Sequence, residues 1–141
     1  MAQSSVPVKP LPVSDAPLVL RTDFSNQEAW SAVCDRIRRP DAVFRASVTF
    51  VDDPDLAGLT PDDLRTRGYY EQQTFAFFAD HVTMTHPEHP VLIAFVFEDE
   101  RVEFRAIPAA IPGIENNLSL GNMDPEDFAE SADADGIFRG F

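Results

Sequence analysis

The sequence predicts a single α/β domain with a mixed sheet of about five strands, and an α+β arrangement is the alternative. Three observations predict this fold class: a strand–helix–strand (βαβ) pattern near the N-terminus, a central apolar β-hairpin, and a helical C-terminal third. The chain of 141 residues suffices for one domain that buries roughly two-thirds of its unfolded surface.

The globular domain is expected to span residues 17–141, after a flexible proline-rich arm at residues 1–16. Its first strand is predicted at Pro17–Thr22, where apolar residues predominate. The second is predicted at Phe44–Val51, where alternate residues are apolar. A helical pattern lies between the two strands, and units of this kind are almost always parallel and right-handed.

The helix of this unit has a start signal, an apolar stripe and a stop signal. Ser25 and Glu28 match the S-x-x-E capping box, which predicts Ser25 as the N-cap. Pro40 ends the helical pattern near Arg39. Because Cys34 lies on the apolar stripe, we expect it to be a small core residue rather than a nucleophile.

A hairpin at Val91–Ile107 is the centre of the predicted core, and a third strand, Gln73–Ala79, precedes it. The first hairpin strand is apolar at every position, which is typical of a strand covered on both faces. With a connection at Glu98–Arg101, Phe95 pairs with Phe104 and one face of the hairpin is wholly apolar.

The last third of the chain is predicted to be helical. Apolar residues at helical spacing predict one helix that stops at Gly121. Asp124 followed by Pro125 predicts the start of a second helix, which would end before Gly136. The tail Ile137–Phe141 is apolar enough to dock on the body of the domain.

The net charge of −13 lies almost entirely in the later part of the chain. Residues 1–40 hold five basic and four acidic side chains, whereas residues 41–141 hold six basic and twenty acidic ones. Such a field repels nucleic acid and anionic membranes and favours basic partners. The sequence has no apolar run of membrane-spanning length, no secretory signal and one cysteine, so we expect a cytoplasmic protein.

Four segments give the chain a distinctive signature: LVLRTDFS…AW, PEHPVLIAF, ENNLSLGNMDPEDF and the terminal DGIFRGF. With these segments the chain resembles a bacterial family of small acidic domains of unknown function, from Pro17 onward. The resemblance implies no activity, because that family has no assigned mechanism, so function has to be inferred from the residues themselves.

Three histidines, His81, His86 and His89, lie in the Asp80–Pro90 connection, which is predicted to be a solvated loop. A zinc site needs three or four converging ligands, and the two histidines of the H-x-x-H pattern supply too few. We therefore predict no metal site and no cofactor. The other role considered for a histidine here is that of a general base in a pocket.

Asp23 directly follows the first strand, at the edge where open α/β sheets bind ligands. No glycine-rich loop accompanies it, so a phosphate site is not indicated. We expect Asp23 to be a turn residue.

Glu115, Asn116 and Asn117 form a polar cluster between apolar residues. Two adjacent asparagines are poor helix formers and favour caps or specific contacts. Either they satisfy backbone groups near the last helix, or they contact a ligand or partner. The sequence leaves both open.

Two functional hypotheses follow from these residues. The first is a small acidic protein-binding module, of the inhibitor or immunity type, that presents carboxylates to a basic protein partner. Its contacts would come from the carboxylate run that has no Lys or Arg: Glu126, Asp127, Glu130, Asp133 and Asp135. The second is a small enzyme or ligand-binding domain with a Phe-lined pocket; its candidate polar residues are His86, Glu115, Asn116 and Asn117. The concentrated carboxylates favour the first hypothesis.

Overall fold

One mixed sheet organises the computed structural model, which describes residues 11–141. Its strands are β1 (Leu18–Arg21), β2 (Thr49–Val51), β3 (Phe75–Ala79), β4 (Val91–Phe97), β5 (Glu100–Ala106) and β6 (Ile137–Phe138). Their order across the sheet is β2-β1-β3-β4-β5-β6. β1 is parallel to β2 and β3, β4 is antiparallel to β3 and β5, and β6 is parallel to β5. The predicted single α/β domain with a mixed sheet and a βαβ start is confirmed, with six strands instead of about five.

Five α-helices connect these strands within residues 11–141. They are α1 (Gln27–Arg38), α2 (Pro61–Thr66), α3 (His81–Thr85), α4 (Ile111–Ser119) and α5 (Pro125–Glu130). None of these helices has the length and apolar character needed to cross a membrane. Three short 3-10 turns accompany them: Pro54–Leu56, Tyr69–Glu71 and Pro108–Ala110.

The sheet carries a hydrophobic core on each face, because successive side chains of a strand point to opposite sides. The larger core joins residues of α1, α4 and α5 to Val19, Phe77 and Ile93 of the sheet. The smaller core joins Leu64 of α2 to Leu20 and other residues of the opposite face. Both faces are therefore covered, as the apolar central strands predict.

The N-cap of α1 is Asn26 rather than the predicted Ser25. The Asn26 side chain accepts a hydrogen bond from the Ala29 backbone N–H at 3.0 Å. Ser25 instead donates its hydroxyl and backbone N–H to the Asp23 carboxylate, so Asp23 competes successfully for the residue predicted as the cap.

Cys34 is buried, as its place on the apolar stripe predicts. This burial raises the pKa of its thiol to about 11, which keeps the thiol protonated at neutral pH.

The predicted hairpin is present, but its register is wrong by two residues. Phe95 pairs with Val102 instead of Phe104, which pairs with Ile93. The connection is a two-residue turn in which Glu98 adopts a positive φ of 55°. Because the shift is two residues, each side chain stays on the face that was predicted for it.

Three further segments differ from prediction or add to it. The second strand covers only Thr49–Val51. The second C-terminal helix ends at Glu130, before Gly136 as predicted. Part of the predicted loop at Asp80–Pro90 folds as α3, which is capped by Asp80. The tail not only docks but also adds β6 to the edge of the sheet.

The described part of the predicted arm contacts the domain. The Ser14 hydroxyl lies 2.7 Å from the Thr49 hydroxyl, and Gln73 donates to the Ser14 carbonyl at 3.4 Å. Leu11 packs against the smaller core. The first ten residues of the predicted arm lie outside the described range.

We expect Phe104→Ala to lower the free energy of unfolding by about 3–5 kcal/mol, because it removes a buried ring. Phe104 is 6% exposed and stacks on Phe128 with ring centroids 5.8 Å apart. Urea titration measures the change. Phe97→Ala is the matched control, because Phe97 is 51% exposed and should cost less than about 1 kcal/mol. Equal losses in the two variants would contradict the burial of Phe104 against Phe128.

Candidate functional site

The surface built by α4 and α5 is acidic without any basic side chain of its own. Residues 106–138 contain seven carboxylates and no Lys, Arg or His. The two hypotheses drawn from the sequence both place their candidate residues largely in this stretch. Its carboxylates divide into three groups: one is buried in a hydrogen-bond network, some bind Arg139, and the others belong to α5 and its N-cap.

Glu115 is the buried member, and it holds the chain before β2 against α4. It is 4% exposed; its Oε1 accepts the Ser47 backbone N–H at 2.6 Å and its Oε2 accepts the Ser119 hydroxyl at 2.6 Å. Asn116 donates to the carbonyls of Arg45 at 2.7 Å and Pro112 at 2.8 Å. The contacts with Ser47 and Arg45 satisfy backbone groups of a segment that belongs to no strand.

A Phe-lined cavity of about 260 Å³ lies beneath the C-terminal tail. Its walls include four aromatic rings: Phe44, Phe128, Phe138 and Phe141. Of the polar residues predicted for such a pocket, Asn117 lines it, and its amide donates to the Gly113 carbonyl at 2.8 Å. His86, Glu115 and Asn116 are not among the lining residues, so the structure does not bring the four candidates together.

The guanidinium of Arg139 binds three carboxylates, and we call these four residues the Arg139 cluster. Arg139 contacts Glu88, Asp133 and Asp135, each with a closest N–O distance of 2.7 Å. These hydrogen bonds hold the pKa values of Glu88 and Asp135 below their usual range. Asp133 and Asp135 are two of the five predicted contact residues, so their charges already have an intramolecular partner.

The remaining predicted contact residues lie on α5. Asp127 accepts the Asp124 backbone N–H at 2.9 Å and so caps the helix. Within residues 11–141, Glu126 and Glu130 form no salt bridge, and Glu130 is exposed while Glu126 is half-buried. The acidic surface available to a partner is therefore centred on Glu126, Asp127 and Glu130, which we call the α5 acidic surface.

The histidines do not converge. His86 Nδ1 accepts the Glu88 backbone N–H at 3.0 Å, and His89 Nδ1 lies 2.9 Å from the Thr83 carbonyl, so both support the turn after α3. His81 lies at the other end of α3. In residues 11–141, no three His, Cys, Asp or Glu side chains are grouped to hold a metal ion.

A cleft of about 320 Å³ opens at the carboxyl ends of β1 and β3, and we call it the carboxyl-edge cleft. Asp23 after β1 and His81 after β3 meet there, with Oδ2 and Nδ1 3.1 Å apart. Asp80 also lines the cleft and binds Arg105 of β5 through both carboxylate oxygens, at 3.0 and 2.7 Å. Burial opposes ionisation of Asp80, but the Arg105 guanidinium still lowers its pKa.

Sequence patterns indicated only part of this cleft. The position after the first strand pointed to Asp23, because the carboxyl edge of an α/β sheet is recognisable from one strand alone. His81 and Asp80 were grouped with the other histidines in a loop. The available signal was their position directly after the third strand, which a parallel sheet brings beside the end of the first.

A family model for a domain of unknown function, DUF6924, matches residues 16–141. The chain belongs to this family. The resemblance to an uncharacterised family is thus confirmed at the level of the family. No match was found among curated proteins.

The DUF6924 match includes the segments that carried the resemblance, and the structure gives two of them clear local roles. ENNLSLGNMDPEDF contains the Glu115 network and the start of α5. DGIFRGF contains β6 and Arg139. The first segment therefore joins α4 to the chain before β2, and the second adds β6 to the sheet.

We expect Glu115→Ala to destabilise the domain by about 1–3 kcal/mol, because it leaves the Ser47 N–H without an acceptor. Glu115→Gln is the matched control, since its carbonyl oxygen still accepts that N–H. Urea titration of both variants measures the difference. A loss from Gln as large as that from Ala would contradict the hydrogen-bonding role.

We expect acid to release β6 before the rest of the sheet, because protonation of Glu88 and Asp135 breaks their contacts with Arg139. Their pKa values are lowered by folding, so their contribution to stability is complete above about pH 5 and is lost as the pH falls below about 4. Hydrogen exchange of the Ile107 N–H, which donates to the Phe138 carbonyl at 3.2 Å, reports the release.

The variant Arg139→Gln should reduce the Ile107 protection factor already near neutral pH and remove most of its acid dependence. Arg45→Gln is the control, because Arg45 is an exposed arginine outside the cluster. Identical protection factors in wild type and Arg139→Gln at every pH would show that the Arg139 cluster does not hold β6.

Proposed function

We propose that the chain is a small acidic protein-binding module of the inhibitor or immunity type, which acts in the cytoplasm and binds a basic protein partner through the α5 acidic surface. One observation carries this proposal: residues 106–138 supply carboxylates without a single basic side chain. The carboxylates of Glu126 and Glu130 have no cation beside them in the described chain.

The physical cost of this arrangement supports a binding role. Like charges held close together destabilise a compact state, and surfaces that serve only solubility usually intersperse both signs. Elsewhere in the chain the signs are interspersed: Arg101 binds Asp62 at 2.7 Å and Arg105 binds Asp80 at 2.7 Å. A one-signed surface speeds association with a partner of opposite charge.

The alternative, a ligand-binding or enzymatic role in the Phe-lined cavity, has less support. The four rings provide apolar walls, but Glu115 and Asn116 are occupied by backbone groups outside the cavity. Asn117 is the candidate residue at its wall, and its amide already donates to a carbonyl of α4. Neither a histidine nor a glutamate is among the residues that line the cavity.

Charge reversal on α5 tests the proposal. The variant Glu126→Lys/Glu130→Lys leaves Asp127 to cap the helix and leaves the Arg139 cluster intact. The wild-type chain is immobilised, and a basic protein retained from the source lysate is identified and titrated against each variant. We expect the double variant to bind that protein at least about tenfold more weakly.

The control is Glu98→Lys/Glu100→Lys at the hairpin tip, which changes the net charge equally at exposed positions. It should keep most of the affinity. Association with wild type should slow as salt shortens the Debye length from ~10 Å at 0.1 M to ~3 Å at 1 M. Equal binding by both variants, or retention of no basic protein, would overturn the proposal; circular dichroism checks that both variants fold.

A further inference from the structure

The carboxyl-edge cleft lies where the topology of the sheet creates a crevice. β1 is followed by α1, which packs in the larger core, and the chain then reaches β2 on one side of β1. β2 is followed by α2, which packs in the smaller core on the opposite face, and the chain then crosses to β3 on the other side of β1. This second connection passes the carboxyl ends of β1 and β3, where the Gly58 N–H donates to the Thr22 carbonyl at 2.8 Å. Its residues 58–61 line the cleft together with Asp23 and His81.

The cleft combines an apolar wall with a polar edge. Leu59, Phe78 and Leu92 line one part, while Asp23 and His81 line another. A volume of about 320 Å³ is at the low end of the roughly 300–1,000 Å³ typical of small-molecule sites. The cleft therefore suits a small molecule with an apolar body and one polar group.

The Asp23 carboxylate is a hydrogen-bond acceptor at the polar edge of the cleft. Hydrogen bonds from Ser25, together with the nearby His81, lower the pKa of Asp23, so its carboxylate is ionised at neutral pH. The second carboxylate at this edge, Asp80, is already paired with Arg105.

The charge of the cleft determines whether it favours a cationic or an anionic ligand. The residues that line it include two carboxylates and no Lys or Arg. The field of a chain with net charge −13 repels anions, and no glycine-rich loop supplies backbone N–H groups to a phosphate. The complementary ligand is a cation that donates hydrogen bonds.

We propose that the carboxyl-edge cleft binds a small organic ammonium compound. Its ammonium group donates to the Asp23 carboxylate, and its apolar body contacts Leu59, Phe78 and Leu92. This site is separate from the α5 acidic surface and involves none of its residues.

Three probes of matched shape and different charge test the proposal: 2-phenylethylamine, 2-phenylethanol and phenylacetate. Each is titrated into the full chain to millimolar concentration and followed by amide chemical shifts. We expect the amine to saturate with shifts at Asp23, Gly58 and His81, and to bind about tenfold or more tightly than the alcohol. The anion should cause no saturable shift.

Two variants separate charge from shape. Asp23→Asn keeps an acceptor for Ser25 but removes the negative charge. It should therefore weaken binding of the amine about tenfold and leave binding of the alcohol unchanged. Val82→Phe, at a cleft position that is 40% exposed, should exclude both probes by filling space. Glu98→Gln, at the exposed hairpin tip, is the control for the loss of one negative charge elsewhere, and it should leave amine binding unchanged.

The proposal is overturned if the amine binds no better than the alcohol, if its shifts lie outside the cleft, or if it does not saturate. It is also overturned if Asp23→Asn and Glu98→Gln weaken amine binding equally, because binding would then depend only on the net charge of the chain.

Discussion

The structure depends on one constraint: β3 is paired on both edges and covered on both faces. Each residue of this strand, FAFFA, is at most 2% exposed. β1 pairs with one edge and β4 with the other, so every backbone group of the strand has to be satisfied by a neighbour. Phe77 points into the larger core and Phe78 into the smaller one. Burial of each ring contributes roughly 1.5–3 kcal/mol to the free energy of unfolding. The cores on both faces of the sheet therefore depend on this one strand.

Features encoded by apolar periodicity were predictable, whereas features encoded by single competing hydrogen bonds were not. The stripe of α1 and the faces of the hairpin follow from spacing alone. The N-cap at Asn26 does not follow from spacing, because Ser25 also matches the capping pattern. Ser25 is not the cap because its hydroxyl donates to the Asp23 carboxylate, and Asn26 accepts the Ala29 N–H instead. The predicted hairpin register is also wrong. A two-residue turn is expected to contain Gly or Asn, whereas here Glu98 adopts the positive φ.

Ion pairs of different sequence range divide the acidic segment. Asp133 and Asp135 lie only six and four residues before Arg139, but the run of carboxylates alone does not indicate which of them Arg139 binds. Glu88, which completes the Arg139 cluster, lies 51 residues earlier in the chain. The same limit applies to the cleft, where Asp80 and Arg105 are 25 residues apart. Charges in one run can therefore be free or bound, and only the tertiary structure distinguishes them.

The alternation of β5 connects the two proposed binding regions while keeping them chemically separate. Phe104 points into the larger core and stacks on Phe128 of α5, which carries the acidic surface. Arg105, the next residue, points to the opposite face and holds Asp80 at the edge of the cleft. A change in the packing of β5 can therefore disturb both regions, because they share this backbone. A change in a surface charge at either region leaves the other intact, since no side chain belongs to both. For this reason single charge substitutions distinguish the two proposals, whereas core substitutions do not.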